Sequence, residues 1–110
     1  FFPPEELDGP KEMEPGDVRA VRRVGYSDVD MHRHTNNSRY VAWCLDLLPI
    51  DLWREFRVSR LHILFHKESF ADQEISIHVS RSEDSNDYRF DGFRGEETIF
   101  TLSMQLESSR

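Results

Sequence analysis

The stretch Asn37-Ser38-Arg39-Tyr40-Val41-Ala42-Trp43-Cys44-Leu45-Asp46-Leu47-Leu48-Pro49 decides how the chain folds. On an α-helix its apolar side chains cover most of the circumference and leave a narrow stripe of Arg39, Ala42 and Asp46. A helix this apolar is expected to be buried. Asn36 or Asn37 suits its start, because an Asn side chain accepts a hydrogen bond from an otherwise unpaired first-turn N–H. Pro49 stops it, since proline excludes the helical conformation from the residue before it. The helix is therefore expected over Asn37 to Leu48, roughly 18 Å long.

Strands surround it. Downstream, a short amphipathic turn with Leu52, Trp53 and Phe56 leads into alternation, with Leu61, Ile63 and Phe65 on one face and Arg60, His62 and His66 on the other. Ile75, Ile77 and Val79 mark another strand, Tyr88 and Phe90 the next, and Phe100, Leu102, Met104 and Leu106 the last. Upstream, Val18 to Tyr26 is also strand-like. Glu83-Asp84-Ser85-Asn86 and Gly95 read as turns, so sequential strands are expected to pair as antiparallel hairpins. One greasy helix among strands with one greasy face each predicts an α+β fold, a curved antiparallel sheet of about five strands wrapped around one long central helix. The uncovered side and edges of such a sheet call for a partner, so the unit is expected to be half of a dimer or pseudo-dimer.

The wider composition fits one domain. A chain of 110 residues, 37% hydrophobic with five Gly and five Pro, is neither collagen-like nor fully disordered and has room for one core. No apolar run approaches the roughly 18 residues of a membrane span, so none is expected. Cys44 has no second cysteine to pair with, which removes any need for an oxidising compartment and favours the cytoplasm; within the helix it reads as a small core residue. Residues 1–17 hold four of the five prolines and many acids, and read as an interdomain linker or irregular arm before a domain at 18–110. The opening Phe1-Phe2-Pro3-Pro4, without an initiator Met, is read as the start of a piece of something longer.

Net charge of −7 argues against a general nucleic-acid binder, which needs clustered positive charge. The charge is uneven: residues 18–69 hold nine bases and six acids, a net +3, which leaves −10 for the rest. A locally basic surface on an acidic protein suits an acidic partner or anionic substrate.

Chemistry is expected in the polar loop before the helix. Asp28, Asp30, His32 and His34 fall within seven residues, directly upstream of a helix N-terminus whose unpaired N–H groups, at Asn36 and Asn37, favour a developing negative charge. An ester or thioester carbonyl over those donors could be attacked by a water that a carboxylate or imidazole deprotonates. A metal is not expected: on a strand His62 and His66 lie about 13 Å apart, too far to share an ion.

The stretch Tyr26-Ser27-Asp28-Val29-Asp30-Met31-His32-Arg33-His34-Thr35-Asn36-Asn37, continuing through the helix to Pro49, resembles the acyl-ACP thioesterases of plant plastids and bacteria. Their signature here runs D-x-D-x-N-x-H-x-N-N before a Tyr-containing helix. Phe65-His66-Lys67-Glu68-Ser69 resembles the family's second active-site segment, and the likeness spans residues 18–107. It implies a hot-dog fold and a place as the second of two hot-dog domains in one polypeptide. It implies release of a fatty acid from acyl carrier protein by water attack, with Asp30 as general base, His34 helping to position the water and Glu68 as a further carboxylate. His32 stands where the signature has Asn, and Ser69 where plant members have Cys; a serine there removes a Cys-His nucleophile and leaves direct attack by water.

The implied partners are acyl carrier protein, an acyl-thioester substrate, and either an N-terminal hot-dog domain or a homodimer partner. No cofactor is implied, because thiolate is already a good leaving group. The carrier is acidic, so Arg19, Arg22 and Arg23 are expected to dock it. Two other functions remain open: an acyl-CoA thioesterase, and a non-catalytic hot-dog domain that binds an acyl chain or completes a pseudo-dimer. Alternation also places Glu68 and Ser69 on opposite faces, so both can face one pocket only if a bulge intervenes or the strand ends near Lys67.

Overall fold

A computed structural model of the chain describes residues 18–82 and 86–109. The expected arm at 1–17 and most of the expected turn at 83–86 lie outside the described residues. Five strands form one antiparallel sheet: β1 (Val18–Arg23), β2 (Phe56–Phe65), β3 (Glu74–Arg81), β4 (Asp87–Arg94) and β5 (Glu97–Ser108). Helix α1 (Asn37–Asp46) joins β1 to β2 by way of the single turn α2 (Leu52–Glu55).

The strand order is β1-β3-β4-β5-β2. Strands β3, β4 and β5 are the expected meander, but β2 leaves its sequence neighbour β3 for the far edge of the sheet. The register gives the reason. Leu61, Ile63 and Phe65 lie opposite Met104, Leu102 and Phe100, which extends the apolar face along the longest strand available. β1 and β2 are then the two edges.

Helix α1 packs on that apolar face. Tyr40, Trp43, Cys44 and, past the last helical residue, Leu48 are buried at a helical spacing, together with Ile75, Ile77, Phe90, Phe100, Leu102 and Met104. Each large apolar side chain so buried contributes about 1.5–3 kcal/mol. The ring of Tyr40 stacks on Phe100 at 4.7 Å between centroids. Phe100 in turn covers Gly92, where an added Cβ would stand 2.1 Å from the Phe100 ring.

Four sequence expectations change here. The helix ends at Asp46 rather than Leu48, because Leu47 and Leu48 make tighter bonds to Cys44 O and Leu45 O, at 3.1 and 3.3 Å. It is also not covered all round: Val41 and Leu45 are only partly buried, since one sheet covers one side of a helix. β1 stops at Arg23, and Tyr26–Asp28 form a 3₁₀ turn rather than more strand. His62, expected on a polar face, is buried opposite Ser103. Among the described residues no helix is long and apolar enough to cross a membrane.

Candidate active site

The loop between β1 and α1 folds upon itself at Asp30. The Arg33 N–H donates to Asp30 O at 2.9 Å with Arg33 at φ 65°, and the Asp30 N–H donates back to His34 O at 2.9 Å. The Asp30 side chain fastens the same turn, its Oδ1 accepting the N–H of His32 at 2.9 Å and of His34 at 3.2 Å. Oδ2 has no protein partner among the described residues. A side chain this short can cap its own turn and still present one oxygen outward.

Asn36 caps the helix as expected, its Oδ1 accepting from Ser38 N at 3.1 Å, while its own N–H donates to Asp28 O at 2.7 Å. Asp28 is buried, bound by Arg39 Nε at 2.9 Å and Gly25 N at 2.9 Å, and so belongs to the scaffold under the loop. Of the donors expected at this helix start, the Asn37 N–H is left without an acceptor among the described residues.

β2 ends at Phe65, where the N–H groups of His66 and Lys67 both donate to Ile99 O, at 2.8 and 3.2 Å. Two donors on one carbonyl break the alternation. The segment that follows runs antiparallel to the end of the loop: His34 bridges Phe70, and Thr35 N–H donates to Ser69 O at 2.8 Å. Alternate side chains on these two short runs then point opposite ways. His34 Nδ1 meets Glu68 Oε1 at 3.2 Å in the open, and Thr35 and Ser69 join their hydroxyls underneath. Ser69 Oγ also lies 2.6 Å from the Tyr40 hydroxyl, and Thr35 Oγ1 donates to Ser69 O at 3.1 Å.

A cleft of about 440 Å³ opens over this junction, with Asp30, His34, Asn36, Asn37 and Glu68 on its walls beside Tyr40, Phe65, His66 and Lys67. Two of the expected site residues are elsewhere. His32 is exposed and does not line the cleft, its ring 6.3 Å from that of His34, because the turn that Asp30 holds swings it outward. Ser69 has no exposed surface and serves the packing under the cleft.

Arg22 and Arg23 do not share one surface. Arg22 reaches Asp46 at the end of α1 (3.7 Å), whereas Arg23 pairs with its cross-strand neighbour Glu74 (2.6 Å), as alternation along β1 requires; Arg19 is the second residue of that strand. Thr35 and Tyr40 were not legible as supports of the site, since each depends on a hydroxyl contact with Ser69, 34 and 29 residues away. Among the described residues no group of three His, Cys, Asp or Glu could hold a metal ion.

Residues 13–106 match the family model described as the acyl-ACP thioesterase C-terminal domain. The chain belongs to that family. It is 30% identical over 61 residues to the chloroplastic palmitoyl-acyl carrier protein thioesterase of Gossypium hirsutum, a match covering 56% of this chain and 14% of that protein. An acyl-ACP thioesterase from Bacteroides thetaiotaomicron superposes with a TM-score of 0.79 at 27% identity, over 89% of this chain and 41% of that one. The 12:0-ACP thioesterase of Umbellularia californica gives 0.74 at 17% identity, over 93% and 41%. This is the hot-dog fold, and the chain spans less than half the length of these relatives. In a family of thioesterases, a cleft that holds carboxylates and an imidazole beside a helix N-terminus has the parts that hydrolysis of a thioester requires.

Proposed function

We propose that this domain supplies the hydrolytic site of an acyl-ACP thioesterase and releases a free fatty acid from the carrier. The observation that carries the reading is the cleft itself, where Asp30, His34 and Glu68 face one space beside the Asn37 N–H. In this reading Asp30 Oδ2 takes a proton from a water whose oxygen bonds to the thioester carbon. Glu68 accepts the Nδ1 proton of a neutral His34, which leaves Nε2 as an acceptor that orients the same water. The Asn37 N–H stabilises the oxyanion, the C–S bond breaks, and the thiolate leaves and recovers a proton. Only protein groups and water take part.

The domain works beside a second hot-dog unit, either the N-terminal domain of the same polypeptide or a second copy. The half-covered flank of α1 at Val41 and Leu45 and the open edge β2 support this. Carrier protein docks by charge on the basic segment that includes Arg19, Arg22 and Arg23, where Arg22 and Arg23 leave β1 on opposite faces and act through the summed field rather than as one contact patch. Neutralising all three is expected to raise KM at low salt and to flatten its salt dependence; an unchanged KM at low salt counts against that docking. A buried, unpaired Cys44 accords with a cytoplasmic setting.

The deciding experiment is steady-state hydrolysis by the intact polypeptide of one acyl group carried on acyl carrier protein and on coenzyme A. Higher kcat/KM on the carrier supports the reading. Equal or higher kcat/KM on coenzyme A makes the protein an acyl-CoA thioesterase, and absence of turnover on both leaves a non-catalytic acyl-binding or pairing domain.

A further inference from the structure

Glu68 sits on a segment that belongs to no strand or helix, yet the contact with His34 requires it to be held still. We infer that Arg94, outside the cleft, is a positioning residue for Glu68. The inference rests on the proposed role of Glu68 in hydrolysis.

Arg94 is the last residue of β4 and faces Glu97, the first of β5, across a tight turn in which Gly95 takes φ 61°. That turn aims the guanidinium at the segment after β2. Nη1 donates to the backbone oxygen of Glu68 itself at 3.1 Å and to Gln73 Oε1 at 2.8 Å. The same Gln73 oxygen accepts the Phe70 N–H at 3.0 Å, so Arg94 reaches Phe70 through one side chain. Nη2 lies 3.5 Å from Glu97 Oε2, which also binds Lys67 Nζ at 2.7 Å. Residues 67, 68 and 70 are thus tied to one planar cation, and Ser69 between them is pinned from below by Thr35 and Tyr40. A guanidinium is suited to this because its donors form a fixed fork. Arg94 is absent from the cleft walls, so it acts on the reaction only through Glu68.

The test uses the intact polypeptide. Arg94→Met is expected to lower kcat about tenfold with KM changed by less than about twofold, since misplacing a reacting group costs rate and leaves substrate affinity in place. In a crystal structure of that variant the separation of His34 Nδ1 and Glu68 Oε1 should exceed hydrogen-bond reach. Gln73→Leu cuts only the tether to Phe70, is the milder change should Arg94→Met fail to fold, and is expected to lower kcat about threefold by the same split. Retention of full kcat in whichever of these variants folds, while Glu68→Gln loses activity, overturns the inference; so does a fall in kcat matched by a rise in KM. Full activity in Glu68→Gln would instead remove Glu68 from the proposed reaction. The strap would then stand or fall on the His34 to Glu68 distance in Arg94→Met, and an unchanged 3.2 Å would end it.

Discussion

Two clusters of polar side chains occupy this domain one residue out of step. Asp30, His34 and Glu68 face the cleft, and the Glu68 side chain is 64% exposed. Thr35, Tyr40 and Ser69 are joined hydroxyl to hydroxyl beneath them; Thr35 and Tyr40 still reach the cleft wall, whereas Ser69 is 0% exposed. His34 and Thr35 are neighbours in sequence, as are Glu68 and Ser69, and the short antiparallel contact between the two segments sends each pair to opposite sides. The upper cluster leaves hydrogen-bonding capacity unused, as a site for an outside molecule must. The lower cluster spends its hydroxyls on itself and locks the two segments together. Charge above and satisfied hydroxyls below divide the work into chemistry and support, and variants in each should separate kcat from stability.

The largest expected effect is on kcat. Asp30→Asn keeps an oxygen to accept the His32 and His34 N–H groups, so the turn should survive while the charge is lost. With Asp30 as general base, kcat should fall at least about a hundredfold with Tm nearly unchanged. Near-normal turnover would break the division, because the cleft would then lack its base.

Next comes a variant below the lower cluster. Gly92→Ala places a Cβ against the Phe100 ring, and that ring supports Tyr40 by stacking. Backbone and ring must part, at a cost of about 1–3 kcal/mol for an overpacked core, measured by denaturant unfolding. Ser69→Ala should cost about 1–2 kcal/mol, because it leaves the buried Tyr40 and Thr35 hydroxyls each short of a partner. Its kcat, compared at a temperature where both proteins are folded, should stay within about threefold of the parent, as a support residue never touches substrate. A hundredfold loss of kcat with Tm intact would merge the two clusters into one catalytic unit.

The sequence made the scaffold legible through periodicity. Strand alternation at Leu61-Ile63-Phe65 and Phe100-Leu102-Met104, and helical spacing through Tyr40, Trp43 and Leu48, each demand one buried face, and a helix wrapped by a sheet satisfies all of them. Periodicity carries no information on which strands become neighbours, so the departure of β2 to the far edge was hidden. The loop residues Asp30 and His34 were legible because polar groups crowd before a helix start. His32 and Ser69 were misplaced by the same reasoning, since direction in a loop is set by turns such as that at Arg33 and by the double bond to Ile99 O, neither of which has a pattern along the chain. Arg94 left no signal at all, lying 26 positions from the carbonyl that it binds.

The smallest effect probes the outer end of the strap. Lys67, first by its hydrogen bond and then by its charge, and Arg94 by its charge hold the Glu97 carboxyl below the usual glutamate range. A carboxyl whose folded pKa is depressed binds fewer protons folded than unfolded, so its contribution to stability is complete above the ordinary glutamate value and vanishes as pH falls through the depressed one. Glu97 is exposed, its side chain at 48%, which keeps that contribution slight and sensitive to salt. In Glu97→Gln the acid limb of Tm against pH should therefore be flatter than in the parent, the two curves differing above the glutamate range and converging at the acid end. Because Arg94 keeps its bonds to Glu68 O and Gln73 in that variant, kcat at neutral pH should hardly change. A large fall in kcat would mean that the outer ion pair, rather than the fork on Glu68 and Gln73, sets the position of the carboxylate above, and the division between the two clusters would have to include the surface charges as well.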